Sequence, residues 1–275
     1  MIQLWHGTGT IKKFGQDVNQ GKLKKLEKRA NSNITHLIVN SEEMKELYAG
    51  AFGIDKALVY PIGLPRTDEL LGRIRHAEDT GFNSDRDRIM KSYGIPKEKK
   101  LILYAPTFRD NTDQAPKILE FIHQLRSELP QEYILLLRLH PFIAEEFTAR
   151  HKELLAIPGV CQTSSEKDLN ALLMASDLLI TDYSSVIFEY CLRKKPMVFF
   201  AYDYQEFSNQ GRGFYYDYES FVPGPVAYTV EEVLELIIKE DFDFWKPESF
   251  IEKNYAYTDG KATERLLAVI ESEYE

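Results

Sequence analysis

Two of the six histidines lie where a side chain could move a proton. His6 follows an apolar start and precedes the small residues Gly7-Thr8-Gly9, which let a ligand come close to the backbone. His140 ends the apolar run 134–139, so we expect it at the carboxyl end of a strand. Imidazole exchanges a proton near neutral pH, so His6 and His140 could work as a pair. The alternative is that each is structural, and the spacing of the other histidines indicates no metal site.

A pair of serines follows another predicted strand. Ser184 and Ser185 begin a predicted helix, where hydroxyls and free backbone N–H groups meet the positive end of the helix dipole and suit a phosphate. An ordinary N-cap needs the same residue types, so both interpretations stay open. Glu189, one turn further on, could accept hydrogen bonds from ribose hydroxyls or be a surface or capping charge.

Two arginines also follow predicted strands. Arg66 lies in the turn 62–68 and Arg109 follows the run 101–105. A guanidinium group donates two parallel hydrogen bonds to a phosphate, so either could clamp one. A salt-bridged surface arginine is the common alternative.

The composition restricts the class of protein. The chain has 275 residues, 44% of them apolar, and a net charge of −9, so a large core is available and nucleic acid is not an expected partner. Two cysteines, Cys161 and Cys191, support neither a disulfide framework nor a thiolate zinc site. No apolar run reaches the ~18 residues of a spanning helix, and the start does not resemble a signal peptide. These features predict a soluble, intracellular protein of two domains.

The positive charge is concentrated near the start of the chain. Residues 12–29 contain seven cations against two carboxylates. Such a surface could bind phosphate, diphosphate or anionic lipid, or it could be a solvated helix face. The cations are Lys12, Lys13, Lys22, Lys24, Lys25, Lys28 and Arg29.

The strands and helices that position the candidate site residues can be predicted from the hydrophobic pattern, in which short apolar runs alternate with amphipathic stretches. The runs are continuously apolar, which is typical of parallel strands buried on both faces and predicts an α/β protein. Predicted strands are 35–39, 57–61, 101–105, 133–139, 177–181 and 197–201, and predicted helices are 42–51, 118–128, 144–155, 166–175 and 185–193. The charged stretch 67–99 without a strand pattern separates a first unit, 1–85, from a second, 86–260, and a final helix, 261–275, could pack across both.

Six ordered motifs over most of the chain resemble the CDP-glycerol glycerophosphotransferase family of teichoic acid synthesis. They are Trp5-His6-Gly7 with Lys12-Lys13-Phe14-Gly15, Gly63-Leu64-Pro65-Arg66-Thr67-Asp68, Tyr104-Ala105-Pro106-Thr107-Phe108-Arg109-Asp110, Arg138-Leu139-His140-Pro141, Thr181-Asp182-Tyr183-Ser184-Ser185 with Glu189, and Arg212-Gly213-Phe214-Tyr215-Tyr216-Asp217 with Pro223-Gly224-Pro225.

The resemblance implies a GT-B-type fold, in which two Rossmann-like domains with parallel sheets face a central cleft. Family members usually carry about a further half-domain before the Trp5-His6-Gly7 motif, so the N-terminal domain is expected to be shortened and its acceptor surface incomplete. The second domain would bind CDP-glycerol. An acceptor hydroxyl would attack the glycerol-bearing phosphorus and release CMP.

The resemblance also implies roles for named residues. His6 would be the general base and His140 would stabilise charge on the diphosphate. Charge neutralisation by Arg109, His140, the serines and the helix terminus would replace a metal, and no cofactor is expected. The substrate-binding residues would be Arg66, Arg109, Thr181, Asp182, Ser184, Ser185, Glu189 and Arg212.

The expected partners are a polyprenyl-diphosphate-linked acceptor and an anionic membrane surface. The expected location is cytoplasmic, peripheral at the inner face of the cell membrane. The residues expected to contact the membrane or the acceptor are Lys12, Lys13, Lys24, Lys25, Lys28 and Arg29. A primase, which adds one unit, is favoured over a polymerase because Lys12-Lys13-Phe14-Gly15 follows the histidine loop and the chain is short. The alternatives are a GT-B nucleotide-sugar glycosyltransferase and a non-catalytic nucleotide-binding remnant.

Overall fold

Two parallel β-sheets and the helices around them make up the fold. The structure is a computed structural model that describes residues 1–107, 109, 115–210, 213–240, 242 and 245–272. The predicted α/β class with parallel sheets is confirmed.

The first sheet has three short strands in the order β1-β2-β3, all parallel. We call this sheet and its helices the first unit. Its strands are β1 (Ile2–Gln3), β2 (His36–Ile38) and β3 (Val59–Tyr60), and its helices are α1 (Gly21–Asn31), α2 (Met44–Phe52) and α3 (Pro65–Thr80). Proline at the first position of α3 suits a helix start, because that residue needs no N–H partner.

The second sheet has six parallel strands and, with its helices, forms the second unit. Its strands are β4 (Lys100–Ala105), β5 (Tyr133–Leu137), β6 (Val160–Gln162), β7 (Leu178–Thr181), β8 (Met197–Phe200) and β9 (Val226–Ala227). The strand order is β6-β5-β4-β7-β8-β9. The chain therefore builds the sheet outwards from β4 on one side and, after a crossover, from β7 on the other, so the order of addition reverses between β4 and β7. In doubly wound sheets ligands bind at the carboxyl ends of the strands beside such a reversal. The ends of β4 and β7 are therefore the place to search for a site.

Helices cover both faces of the second sheet. They are α4 (Ser84–Ser92), α5 (Ala115–Glu128), α6 (Pro141–Arg150), α7 (Leu169–Ala175), α8 (Val186–Cys191), α9 (Tyr204–Gln210), α10 (Tyr218–Phe221), α11 (Val230–Lys239) and α12 (Trp245–Asn254). Every residue of β7 and β8 is buried, as the continuous apolar runs predict. Each of the six predicted strands is present. Strands β1, β6 and β9 were not predicted, because glutamine or proline interrupts the apolar run in which each of them lies.

The two units share one core. A single cluster of buried apolar side chains runs from Ile11 and Phe52 of the first unit to Leu179 and Phe188 of the second. The predicted boundary at residue 85 falls within α4, which packs against α7 of the second unit.

The predicted final helix is observed as α13 (Ala262–Ser272), which packs against α3 of the first unit. The Asp68 carboxylate accepts from the N–H groups of Ala262 and Thr263, at 2.9 and 2.8 Å. Within the described ranges, none of the helices is both long and apolar enough to cross a membrane.

Candidate active site

His6 lies in a loop that follows β1 and is held by several hydrogen bonds. Arg66 donates to the His6 carbonyl, and the Asn40 side chain donates to the Thr8 carbonyl at 3.0 Å. Asn40 in turn accepts from the Leu64 N–H at the start of α3, at 3.0 Å. The loop is therefore positioned by residues at the carboxyl ends of β2 and β3.

The surroundings of His6 favour its neutral form. Its ring packs against Trp5, with the ring centroids 4.0 Å apart. Partial burial, and then the positive charge of Arg66, lower the pKa of His6 below its ordinary value. An imidazole that is neutral near pH 7 can accept a proton, which suits the predicted role of general base.

The same loop contacts the second unit. A Cβ atom on Gly9 would lie 2.4 Å from the Phe188 ring, so only glycine allows this approach. The Thr8 hydroxyl donates to Glu189 Oε1 at 2.5 Å. A Cβ atom on Gly7 would lie 3.7 Å from Ser185 Oγ. The His6 loop thus lies over the beginning of α8.

The next residues form a second contact between the units. The Lys13 N–H donates to the Gly213 carbonyl and the Tyr215 N–H donates to the Ile11 carbonyl, both at 3.0 Å. This places Lys12 Nζ 5.8 Å from the Phe207 ring of the second unit. Lys12 and Lys13 are half-buried between the units, so of the two predicted contacts, membrane or acceptor, their position favours the acceptor.

His140 lies after β5, at the carboxyl edge of the second sheet. Its carbonyl accepts from the N–H groups of Ile143 and Ala144 in α6, at 3.0 and 3.1 Å. Burial first, and then the positive charges of Lys12 and Arg138, lower the pKa of His140. A cation from the first unit therefore lies close enough to His140 to affect its protonation.

Arg109 lies at the carboxyl end of β4 in a buried network of ion pairs. Its Nε donates to Asp203 Oδ2 at 2.8 Å, and its Nη2 donates to Asp182 Oδ2 at 2.8 Å and Asp203 Oδ1 at 3.0 Å. Its Nη1 donates to the Thr107 carbonyl at 2.8 Å. The guanidinium group also lies 4.8 Å from the Tyr183 ring centroid. Four donated hydrogen bonds thus go to the chain itself, which suits a scaffold better than a phosphate clamp.

Thr181 and Asp182 are also used by the scaffold. The Thr181 hydroxyl donates to the Ala105 carbonyl at 2.7 Å and ties β7 to β4. Asp182 Oδ1 accepts from the N–H groups of Thr107 and Tyr183, at 2.8 and 2.6 Å. Both side chains are almost fully buried, so the contacts that they make are with the protein rather than with solvent.

Ser184 and Ser185 are half-buried at the carboxyl end of β7, beside the reversal of strand order. Ser184 Oγ accepts from the Val186 N–H at 3.3 Å, and Ser185 makes no side-chain cap. Helix α8 ends at Cys191 and has six residues, fewer than the predicted 185–193. A phosphate here would therefore depend on the hydroxyls and nearby N–H groups more than on a helix dipole.

Glu189 and Arg66 are paired with each other. Arg66 Nη2 lies 3.3 Å from Glu189 Oε1, and Glu189 is 5% exposed. Burial raises the pKa of Glu189, an effect that Arg66 and the Thr8 hydroxyl oppose. Arg212, the remaining predicted contact, lies outside the described residues.

The basic cluster of residues 22–29 lies on α1, whose side chains are almost all exposed. Leu23 and Leu26, one turn apart, are 57% and 54% exposed among these cations. Lys24, Lys25, Lys28 and Arg29 therefore lie on a surface where a partner could bind them, and Lys24 Nζ also donates to the Gln16 carbonyl at 2.8 Å.

Three residues of the site were missed in the sequence. Asn40 and Asp203 each follow a strand closely, which is the signal that could have identified them, and Thr8 is part of the histidine motif. Among the residues that the structure describes, no group of three or more His, Cys, Asp or Glu side chains could hold a metal ion.

Comparison with known proteins identifies relatives over nearly the whole chain. The teichoic acid poly(ribitol-phosphate) polymerase of Bacillus spizizenii is 37% identical over 97% of this chain and 42% of its own length. The teichoic acid glycerol-phosphate primase of Bacillus subtilis is 33% identical over 98% of this chain and 68% of its own length. The chain thus spans less than half of the first relative, and both primases and polymerases are similar to it.

Solved structures give the same result for the fold. The wall teichoic acid polymerase TagF superimposes with a TM-score of 0.79 and 29% identity, over 99% of this chain and 67% of the TagF chain. One TagF structure is a histidine-to-asparagine variant soaked with CDPG. A UDP-GlcNAc 2-epimerase from Neisseria meningitidis, at 12% identity and a TM-score of 0.62, shares the fold alone. The predicted GT-B-type architecture is confirmed, and the chain spans about two thirds of the TagF chain.

The family assignment follows from the extent of the match. The profile of the family described as CDP-glycerol:poly(glycerophosphate) glycerophosphotransferase matches residues 1–272, which includes both units and all six motifs. The chain therefore belongs to this glycerophosphotransferase family.

Proposed function

We propose that the chain transfers glycerol phosphate from CDP-glycerol to a hydroxyl group of a lipid-linked teichoic acid precursor and releases CMP. The observation that carries the proposal is the contact of the His6 loop with the beginning of α8. In this contact, Gly7 and Thr8 of the His6 loop lie next to Ser185 and Glu189, which follow the reversal of strand order. Membership of the family supports the choice of donor.

His6 acts as the general base in this reaction. The acceptor hydroxyl approaches from the first unit, and His6 takes its proton as the oxygen attacks the glycerol-bearing phosphorus. A phosphorus–oxygen bond to the acceptor forms, and the bond from the same phosphorus to the CMP oxygen breaks. The lowered pKa keeps His6 available to accept this proton near neutral pH.

Charge on the diphosphate is stabilised from the second unit. His140, Ser184 and Ser185 lie at the carboxyl edge of the second sheet, and the positive charge of Lys12 reaches His140. Hydrogen-bond donors positioned before the reaction stabilise developing negative charge without reorganising. Arg109, Thr181 and Asp182 hold the ends of β4 and β7 in place rather than contacting the donor.

The acceptor is a polyprenyl-diphosphate-linked precursor at an anionic membrane, and the chain acts at the cytoplasmic face. The composition of helix α1 supports the proposal of an anionic membrane as partner. Exposed cations surround the exposed Leu23 and Leu26, as in helices that lie in a membrane interface.

The decisive experiment incubates the chain with CDP-glycerol and a lipid-linked disaccharide-glycerophosphate acceptor. We expect acceptor-dependent release of CMP, and release at least about 100-fold slower in His6→Ala. Release of a nucleoside diphosphate from a nucleotide sugar would instead support the glycosyltransferase alternative. Binding of CDP without turnover would support the non-catalytic alternative.

The number of units added is decided by mass spectrometry of the lipid product with excess CDP-glycerol. We propose a primase, which gives a single added glycerophosphate. A ladder of additions would show a polymerase. Turnover with CDP-ribitol but not with CDP-glycerol would show that the donor carries ribitol.

A further inference from the structure

The pair formed by Glu189 and Thr8 joins residues that are 181 positions apart in the sequence. Glu189 belongs to the second unit, whereas Thr8 and Arg66, which both contact its Oε1 atom, belong to the first. A carboxylate that is 5% exposed needs partners, because an unpaired buried charge is strongly destabilising. Glu189 therefore obtains both of these partners from the other unit, where the two units meet.

Both partners of Glu189 are linked to the loop that carries His6. Arg66 donates to the carbonyl of His6, and Thr8 lies two residues after His6 with its own carbonyl fixed by Asn40. The Gly9 contact with Phe188 leaves no room for the loop to shift towards α8. The loop is thus bonded on one side to the first unit and on the other to Glu189.

We propose that Glu189, Thr8 and Arg66 form a latch between the units that positions His6, and that Glu189 is a positioning residue rather than a contact of the nucleotide ribose. The catalytic role of His6 in this proposal rests on the proposed function, whereas the positioning of His6 by the latch is independent of it. Thr8 and Arg66 reach Glu189 across the contact between the units, so this contact and the placement of His6 are coupled.

The test uses Thr8→Val, which removes the hydroxyl but keeps the shape of the side chain, and Thr8→Ser, which keeps the hydroxyl. We expect kcat to fall about 10-fold in Thr8→Val, with an unchanged Kd for CDP, and to recover in Thr8→Ser. The matched control is Thr80→Val, which removes an exposed hydroxyl at the end of α3. It is expected to behave as the unaltered protein.

Glu189→Gln distinguishes the latch from a ribose contact. The latch predicts that kcat falls, that the Kd for CDP stays within about twofold, and that the double variant Thr8→Val/Glu189→Gln is no slower than the slower single variant. A tenfold weaker affinity for CDP in Glu189→Gln, with full activity in Thr8→Val, would overturn the latch and restore the ribose contact.

Nuclear magnetic resonance of the ligand-free protein separates this proposal from the proposed function. The imidazole signals of His6 are expected to shift in Thr8→Val while those of exposed His76 stay unchanged. If the unaltered protein releases no CMP but the His6 signals shift, the function is wrong and the latch is supported. Unshifted His6 signals in Thr8→Val would refute the latch whatever the activity.

Discussion

At the scale of single residues, the histidines carry the proposed chemistry. We expect His6→Ala to lower kcat about 100-fold or more, because a positioned general base contributes at least this factor. His140→Ala is expected to lose a similar factor through weaker stabilisation of the diphosphate. The measurement is acceptor-dependent CMP release, with His76→Ala as the control, since His76 is exposed on α3. Unaltered turnover in either variant removes that histidine from the mechanism.

The pH dependence follows from the lowered pKa of His6. A base acts in its neutral form, so kcat/KM is expected to be level near pH 7 and to fall as the pH drops through the pKa of His6. Because burial and Arg66 lower this pKa, the midpoint lies below the ordinary value of about 6.5. A profile of kcat/KM against pH from 5 to 8 measures it, and a midpoint above about 6.5 would contradict the assignment.

The Arg109 network is expected to contribute to stability rather than to binding. Asp203→Asn removes one negative charge from this buried network, in which the Arg109 side chain is 6% exposed and the Asp182 side chain is 3% exposed. Loss of one partner in a buried ion pair costs about 3 kcal/mol, so the free energy of unfolding is expected to fall by this amount.

Urea denaturation measures the effect of Asp203→Asn. The control is Lys97→Ala, which breaks an ion pair whose lysine is 82% exposed and is expected to change stability by less than about 1 kcal/mol. Equal effects in the two variants would show that the buried network has no special role.

At the scale of elements, the approach of the His6 loop to α8 depends on one glycine. Gly9→Ala would place a Cβ atom 2.4 Å from the Phe188 ring. We expect the free energy of unfolding to fall by about 1–3 kcal/mol, as in overpacked cores, and CMP release to fall with it.

Gly72→Ala is the matched control for Gly9→Ala. Gly72 lies within α3, and a Cβ atom there meets nothing within 4 Å. Alanine in a helix is favoured over glycine by about 0.5–1 kcal/mol, so this variant is expected to be unchanged or slightly stabilised. A Gly9→Ala protein as stable and active as Gly72→Ala would refute the close approach.

At the scale of the whole molecule, α1 is the expected contact with an anionic membrane. Each exposed cation near such a surface contributes about 1 kcal/mol, and salt weakens the attraction. The triple variant Lys25→Glu/Lys28→Glu/Arg29→Glu is therefore expected to lose co-sedimentation with vesicles that contain anionic lipid.

The control for the α1 triple variant makes the same change of charge on the second unit. Lys167, Lys246 and Lys253 are exposed on the second unit, and their replacement by Glu is expected to leave most of the vesicle binding intact. Equal losses in the two triple variants would show that overall charge, rather than α1, attracts the membrane.

The sequence by itself determined the class of fold and the edge of the sheet where the site lies. Buried parallel strands require apolar side chains on both faces, so runs such as 101–105 and 197–201 identify them without knowledge of the packing. Polar residues that follow such runs must lie at the carboxyl edge. This local logic located His140, Ser184 and Arg109 correctly relative to the strands.

Only the tertiary structure decided which of these polar groups are used by the protein itself. Arg109 pairs with Asp203, 94 residues away, and Glu189 pairs with Thr8, 181 residues away. Periodicity reports which face of an element is buried, but it carries no information about which two strand ends converge. The partner of a buried charge depends on that convergence. For this reason Arg109, Asp182 and Glu189 resembled ligand contacts in the sequence and are bonded to the chain in the structure.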